Sequence, residues 1–153
     1  MPPLSAGIGI ARDVPTRRAR NVSSPARAFV DAICLLVAGL VRTALPGPEF
    51  TLAWEHSVQK TRWQERYRID GDSLMLVEAQ VAGSGAGMEP PPSATLRDGT
   101  WTWQPRIRLP EVRLTHSGYT RDYSLCWRDG CRELSTLTGP ADDGAVVVIR
   151  GCG

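Results

Sequence analysis

Residues 50–87, FTLAWEHSVQKTRWQERYRIDGDSLMLVEAQVAGSGAG, constrain the fold more than any other stretch of the chain. Phe50, Leu52, Trp54 and Val58 alternate with Thr51, Ala53, Glu55 and Ser57, the period-2 pattern of a half-buried strand. Trp63, Tyr67 and Ile69 alternate in the same way with Arg62, Gln64, Arg66 and Arg68. His56 and Glu65 fall on the apolar sides of these two runs. Asp70-Gly71 is a tight-turn signal, and a third run follows with Leu74, Leu76 and Glu78 on one side and Met75, Val77 and Ala79 on the other.

Three antiparallel strands follow from this pattern, because slipping the register by one residue would turn the apolar set to water. Pairing Val58 with Trp63 across a four-residue loop sets Trp54 opposite Tyr67 and Leu52 opposite Ile69. His56 then faces Glu65, with Cβ atoms about 4.5–5.5 Å apart. Glu78 shares their face whether the turn centres on Asp70-Gly71 or on Gly71-Asp72. Buried charges are costly unless paired. The expected cluster of His56, Glu65 and Glu78 is therefore either a register-fixing ion pair with a carboxylate at its rim or a small polar pocket. The same three side chains could hold a cation. The sequence names no particular metal or cofactor.

Beyond this stretch, short apolar runs recur between Asp98-Gly99, Pro105, Gly118 and Asp129-Gly130, ending in Ala145–Arg150. About nine short strands, with no 3.6-residue periodicity after residue 45, predict an all-β antiparallel sandwich or small barrel. That β domain is expected over residues 46–153. Cys126 and Cys131 flank Trp127-Arg128-Asp129-Gly130 and can close a disulfide across the turn, whereas Cys152 is left over.

The N-terminal part reads differently. Residues 1–27 are rich in Pro, Ser, Ala and Arg and predict a disordered leader. Residues 28–45 turn apolar and predict a hydrophobic helix that serves as signal or anchor. The uninterrupted apolar run, Ala32–Val41, is short for a bilayer-spanning helix of about 20 residues. Charge is split at the same place. Residues 1–45 hold six Arg against two Asp, a net of +4, which leaves twelve basic and fourteen acidic residues, a net of −2, for the rest. The basicity lies outside the β domain, and a nucleic-acid partner is not expected.

Gly83-Ser84-Gly85-Ala86-Gly87 lacks the Lys-Ser/Thr of a phosphate-binding loop, so it reads as a tight turn or as backbone that approaches a ligand closely. Ser57 adjoins His56 but points to the opposite face of the strand. Ser84 with His56 and Glu65 would make a Ser-His-Glu set, without a G-x-S-x-G elbow.

The pattern F-T-L-x-W-x-H-S-V-x-K-T-x-x-x-E-x-Y, then L-x-L-V-E, G-S-G-A-G-M-E-P-P and D-G-x-W, resembles the domain of unknown function 1850 family from about Phe50 to Leu134. The resemblance implies a small exported or membrane-anchored protein associated with TRAP transporters of the TAXI class. Its recurrent positions fall here on His56, Ser57, Glu65, Glu78, Gly83, Ser84, Gly85 and Gly87. The expectation is a non-enzymatic accessory protein in the periplasm, or on the periplasmic side of the inner membrane, tethered by its N-terminal segment. It would bind a small ligand or a loop of the transporter's membrane or solute-binding subunits at those residues. The alternative is a small hydrolase or metal-dependent enzyme that uses the same pocket.

Overall fold

The structure is a computed structural model and describes residues 31–56, 60–83, 89–140 and 142–153. Twelve strands and one helical turn form within these residues. The strands are β1 (Ala32–Val37), β2 (Leu40–Pro46), β3 (Glu49–Glu55), β4 (Arg62–Asp70), β5 (Ser73–Ala82), β6 (Thr95–Arg97), β7 (Thr100–Trp103), β8 (Ile107–Leu109), β9 (Val112–Thr115), β10 (Ser124–Trp127), β11 (Gly130–Glu133) and β12 (Val146–Gly151). The turn is α1 (Leu134–Thr138). They form two antiparallel sheets, one ordered β2-β1-β12-β9 and the other β11-β10-β3-β4-β5-β7-β6, with β8 also pairing β5. The expected all-β sandwich is the observed architecture.

The sheets close on one apolar core. Ile33, Leu35, Val147 and Ile149 from the smaller sheet meet Phe50, Leu52, Tyr67, Leu74, Leu76 and Leu125 from the larger one. Phe50 and Tyr67 stack across β3 and β4 with ring centroids 5.1 Å apart. At the β4–β5 hairpin, Asp70 pairs with Ser73, so the two loop residues are Gly71 and Asp72. Gly71 takes φ +64°, as a two-residue turn with glycine first requires.

The hydrophobic helix expected over residues 28–45 is corrected. Its described part is the β1–β2 hairpin, and the expected domain start at residue 46 falls on the last residue of β2. β1 lies inside its sheet, bonded to β2 on one side and to β12 on the other. Ile33, Cys34, Leu35 and Leu36 are all buried. A strand buried on both faces reads as a continuous apolar run, and periodicity cannot distinguish it from a short helix. Among the described residues no helix is long and apolar enough to cross a membrane. Residues 1–30, where the leader was expected, lie outside the described residues.

Two disulfides fasten the fold. Cys126 and Cys131 face each other across the β10–β11 hairpin with Cα atoms 4.0 Å apart, as the turn chemistry suggested. Cys152, expected to be left over, bonds Cys34 of β1 over a sequence separation of 118 residues. The β1–β12 pairing places the two cysteines together, because it sets Cys34 opposite Arg150 and brings the chain end alongside.

The larger sheet has a bend line. Between Arg66 and Tyr67 the β4–β5 register shifts, leaving Val77 unpaired as a bulge. Next to it, β5 changes partner from β8 to β7, and Gln104, Pro105 and Arg106 span the two β5 residues Val77 and Glu78. One half of the sheet packs on the sandwich core. Beyond the bend Trp63, Ala79 and Val81 are buried as well, and Trp54 packs against the core from β3.

Candidate functional site

The residues singled out in the sequence do not assemble as expected. In β3–β4, Trp54 pairs with Trp63, Leu52 with Glu65 and Phe50 with Tyr67, four residues away from the expected register. The shift is even, so each residue keeps its face, but the cross-strand partners change. Aromatic pairing accounts for the choice. The observed register stacks Trp54 on Trp63, with centroids 6.1 Å apart, as well as Phe50 on Tyr67. Such pairs are worth about 0.5–1.5 kcal/mol beyond their buried area.

His56 consequently lies at the hairpin turn. It is exposed, donates its backbone N–H to the Thr61 carbonyl at 2.9 Å and accepts from the Lys60 N–H at 2.8 Å. Glu65 sits opposite Leu52, roughly 13 Å from His56 along the strand at about 3.3 Å per residue. Glu78 lies on the other face of the sheet. The bulge at Val77 inverts the alternation of β5, so Glu78 pairs with Arg66. Arg66 bridges Glu49 at 3.4 Å and Glu78 at 3.7 Å, and Gln80 Nε2 donates to Glu78 Oε1 at 3.0 Å. The inward cluster of one imidazole and two carboxylates is thus not formed. Among the described residues no group of three His, Cys, Asp or Glu side chains is placed to hold a metal. Gly83 ends β5 with φ +84° and donates its N–H to the Gly99 carbonyl at 2.8 Å. Ser57, Ser84, Gly85 and Gly87 lie outside the described residues.

A different arrangement occupies the inner face beyond the bend. Trp103 of β7 meets Trp63 of β4 edge to face at 6.3 Å, Trp63 stacks on Trp54 of β3, and Trp54 meets Tyr123, which precedes β10, at 6.2 Å. The row crosses the sheet because Ala79, between Trp103 and Glu65 in the ladder, is too small to block the contact. Trp63 is buried, whereas Trp54, Trp103 and Tyr123 are half-buried.

Glu65 lies on this same face, flanked along β4 by Trp63 and Tyr67. Tyr67 donates its phenolic hydrogen to Glu65 Oε2. Burial, then the hydrogen bond to Glu65, then the Glu65 charge push the Tyr67 hydroxyl far above the usual tyrosine range. Burial, followed by the Asp122 charge, also raises Tyr123. Among the described residues no cation pairs with Glu65. A half-buried carboxylate held in place by a neutral phenol beside tryptophan faces can accept hydrogen bonds from a ligand or attract a cationic group. The row could be read from the sequence in part. Trp54 and Trp63 each sat on the apolar side of a strand, but only the register brings the row into contact.

Fold and site together define a small β-sandwich, bonded twice by disulfides, with an aromatic row and a carboxylate at the border of its core. The family described as "Domain of unknown function (DUF1850)" matches residues 50–134, more than half of the chain, and the protein belongs to that family. No curated protein and no solved structure matches it. Persistent disulfides are the chemistry of an oxidising environment, outside the cytoplasm.

Proposed function

We propose that the protein is a non-enzymatic binding module of the periplasm, an accessory to a TRAP-type solute uptake system, and that it engages its partner through the aromatic half-sheet around Glu65. The observation that carries the reading is the row Trp103–Trp63–Trp54–Tyr123 beside a carboxylate that has no cation among the described residues. Tryptophan and tyrosine anchors dominate binding energy in protein interfaces, and an adjoining carboxylate adds orientation. The two disulfides support the location, and the resemblance to the family supplies the kind of partner.

The test is retention of the transporter's membrane or solute-binding subunits by the tagged protein in mild-detergent extracts of membranes. Glu65→Gln keeps an acceptor for Tyr67 and should cut retention several-fold, and Trp54→Ala should cut it further. Circular dichroism would establish that both variants fold. Retention equal to the parent protein in both would sink the proposal.

A further inference from the structure

We propose that the outer side of the β6–β7 hairpin is a second binding site, for a small oxyanion such as a carboxylate or phosphate, held by Arg106 and a set of neutral donors. Its hydroxyls lie on the face of the sheet away from the tryptophan row, of which only Trp103 borders the cleft, and it does not rest on the transporter reading. β6 and β7 pair Thr95 directly with Thr102, so their hydroxyls share the face opposite Trp101 and Trp103. Gln104 follows Thr102 by two residues. Ser93 sits in a turn closed by the Ala94 N–H to the Pro91 carbonyl at 2.8 Å. With Arg106 and Trp103, these four line a cleft of about 510 Å³. No acidic side chain is among its lining residues.

Arg106 is the residue that makes the cleft specific. Its φ of +55° lies in the left-handed region that L residues rarely adopt. It arises where Gln104, Pro105 and Arg106 must span only two residues of β5. Among the described residues no carboxylate neutralises its guanidinium. Arg106 Nη2 donates to Gln104 Oε1 at 3.4 Å, which orients the Gln104 amide and leaves its NH₂ free to donate. The remaining guanidinium hydrogens, the amide and the hydroxyls of Ser93, Thr95 and Thr102 are all donors, and Glu78, the acidic residue on β5 beside this span, already accepts from Gln80 and pairs with Arg66. This is the chemistry that recognises a planar carboxylate or a phosphate.

Inorganic phosphate and succinate, titrated separately at fixed ionic strength and followed by amide chemical shifts, test the site. The expected result is saturable shifts confined to residues 93–106 for at least one of the two anions, which also identifies the preferred one. Arg106→Gly suits the backbone, because glycine takes positive φ freely. It should fold with undiminished thermal stability and bind at least about tenfold more weakly, as loss of a charge-assisted pair implies. Arg113→Gln, at an exposed arginine elsewhere, should bind as the parent does. The proposal is overturned by shifts that never saturate or that follow every exposed arginine. Unchanged binding in Arg106→Gly, or failure of that variant to fold, would overturn it equally.

Discussion

Tyr67 concentrates the chemistry of the inner face in one side chain. Its ring stacks on Phe50 in the core and its hydroxyl holds Glu65 at the edge of the tryptophan row. Because burial and the Glu65 carboxylate raise its ionisation above the unfolded value near 10, the neutral phenol favours the folded state. That contribution is complete below about pH 10 and is lost as pH rises further. Absorbance at the phenolate band should therefore show Tyr67 ionising only together with alkaline unfolding. Tyr67→Phe should remove that coupling and cost roughly 1 kcal/mol, since the half-buried carboxylate loses its donor while the stacking is kept. Ordinary titration of Tyr67 in the native protein would contradict the assignment. Little of this was legible in advance. Glu65 and Tyr67 are two apart on one strand face, so their contact could be read from the alternation, but His56 was assigned as the partner in its place.

At the scale of elements, β1 and the bulge in β5 decide the most. β1 looks like a short export segment because both of its faces are buried, and burial on both faces removes the alternation that marks a strand. Leu35→Ala should destabilise the whole protein by about 2–5 kcal/mol, as at any fully buried leucine, in chemical denaturation of the full chain. A residue of an export segment outside the fold would show no such effect. The bulge at Val77 was written into the sequence, because the apolar positions of β5 change parity from Leu74 and Leu76 to Ala79 and Val81. Extending the alternation through Val77 without a break put Glu78 on the wrong face.

On the scale of the whole molecule, the disulfides divide the stability unequally. Cys34–Cys152 closes nearly the entire domain, and a loop of that length limits the unfolded chain by about 5 kcal/mol in the chain-entropy picture. Cys126–Cys131 closes a short hairpin, worth about 2 kcal/mol on the same basis. Cys34→Ser should accordingly lower the denaturation midpoint more than Cys126→Ser, and reductant should bring the parent protein below both. Equal midpoints for the two variants would show that loop length does not set the stabilisation.

The sequence by itself determined the all-β class, the tight turn at Gly71 and the Cys126–Cys131 bridge, because each depends on local alternation, glycine conformation or short loop closure. It also placed the chain in its family through motifs along one continuous stretch. Only the tertiary structure decided that residues 32–46 are strands, that Trp54 meets Trp63, that Glu78 turns away from Glu65, and that Cys34 reaches Cys152. Each of these depends on which surfaces distant segments offer one another. A local pattern states which side of a strand is apolar and leaves open which neighbour will cover it.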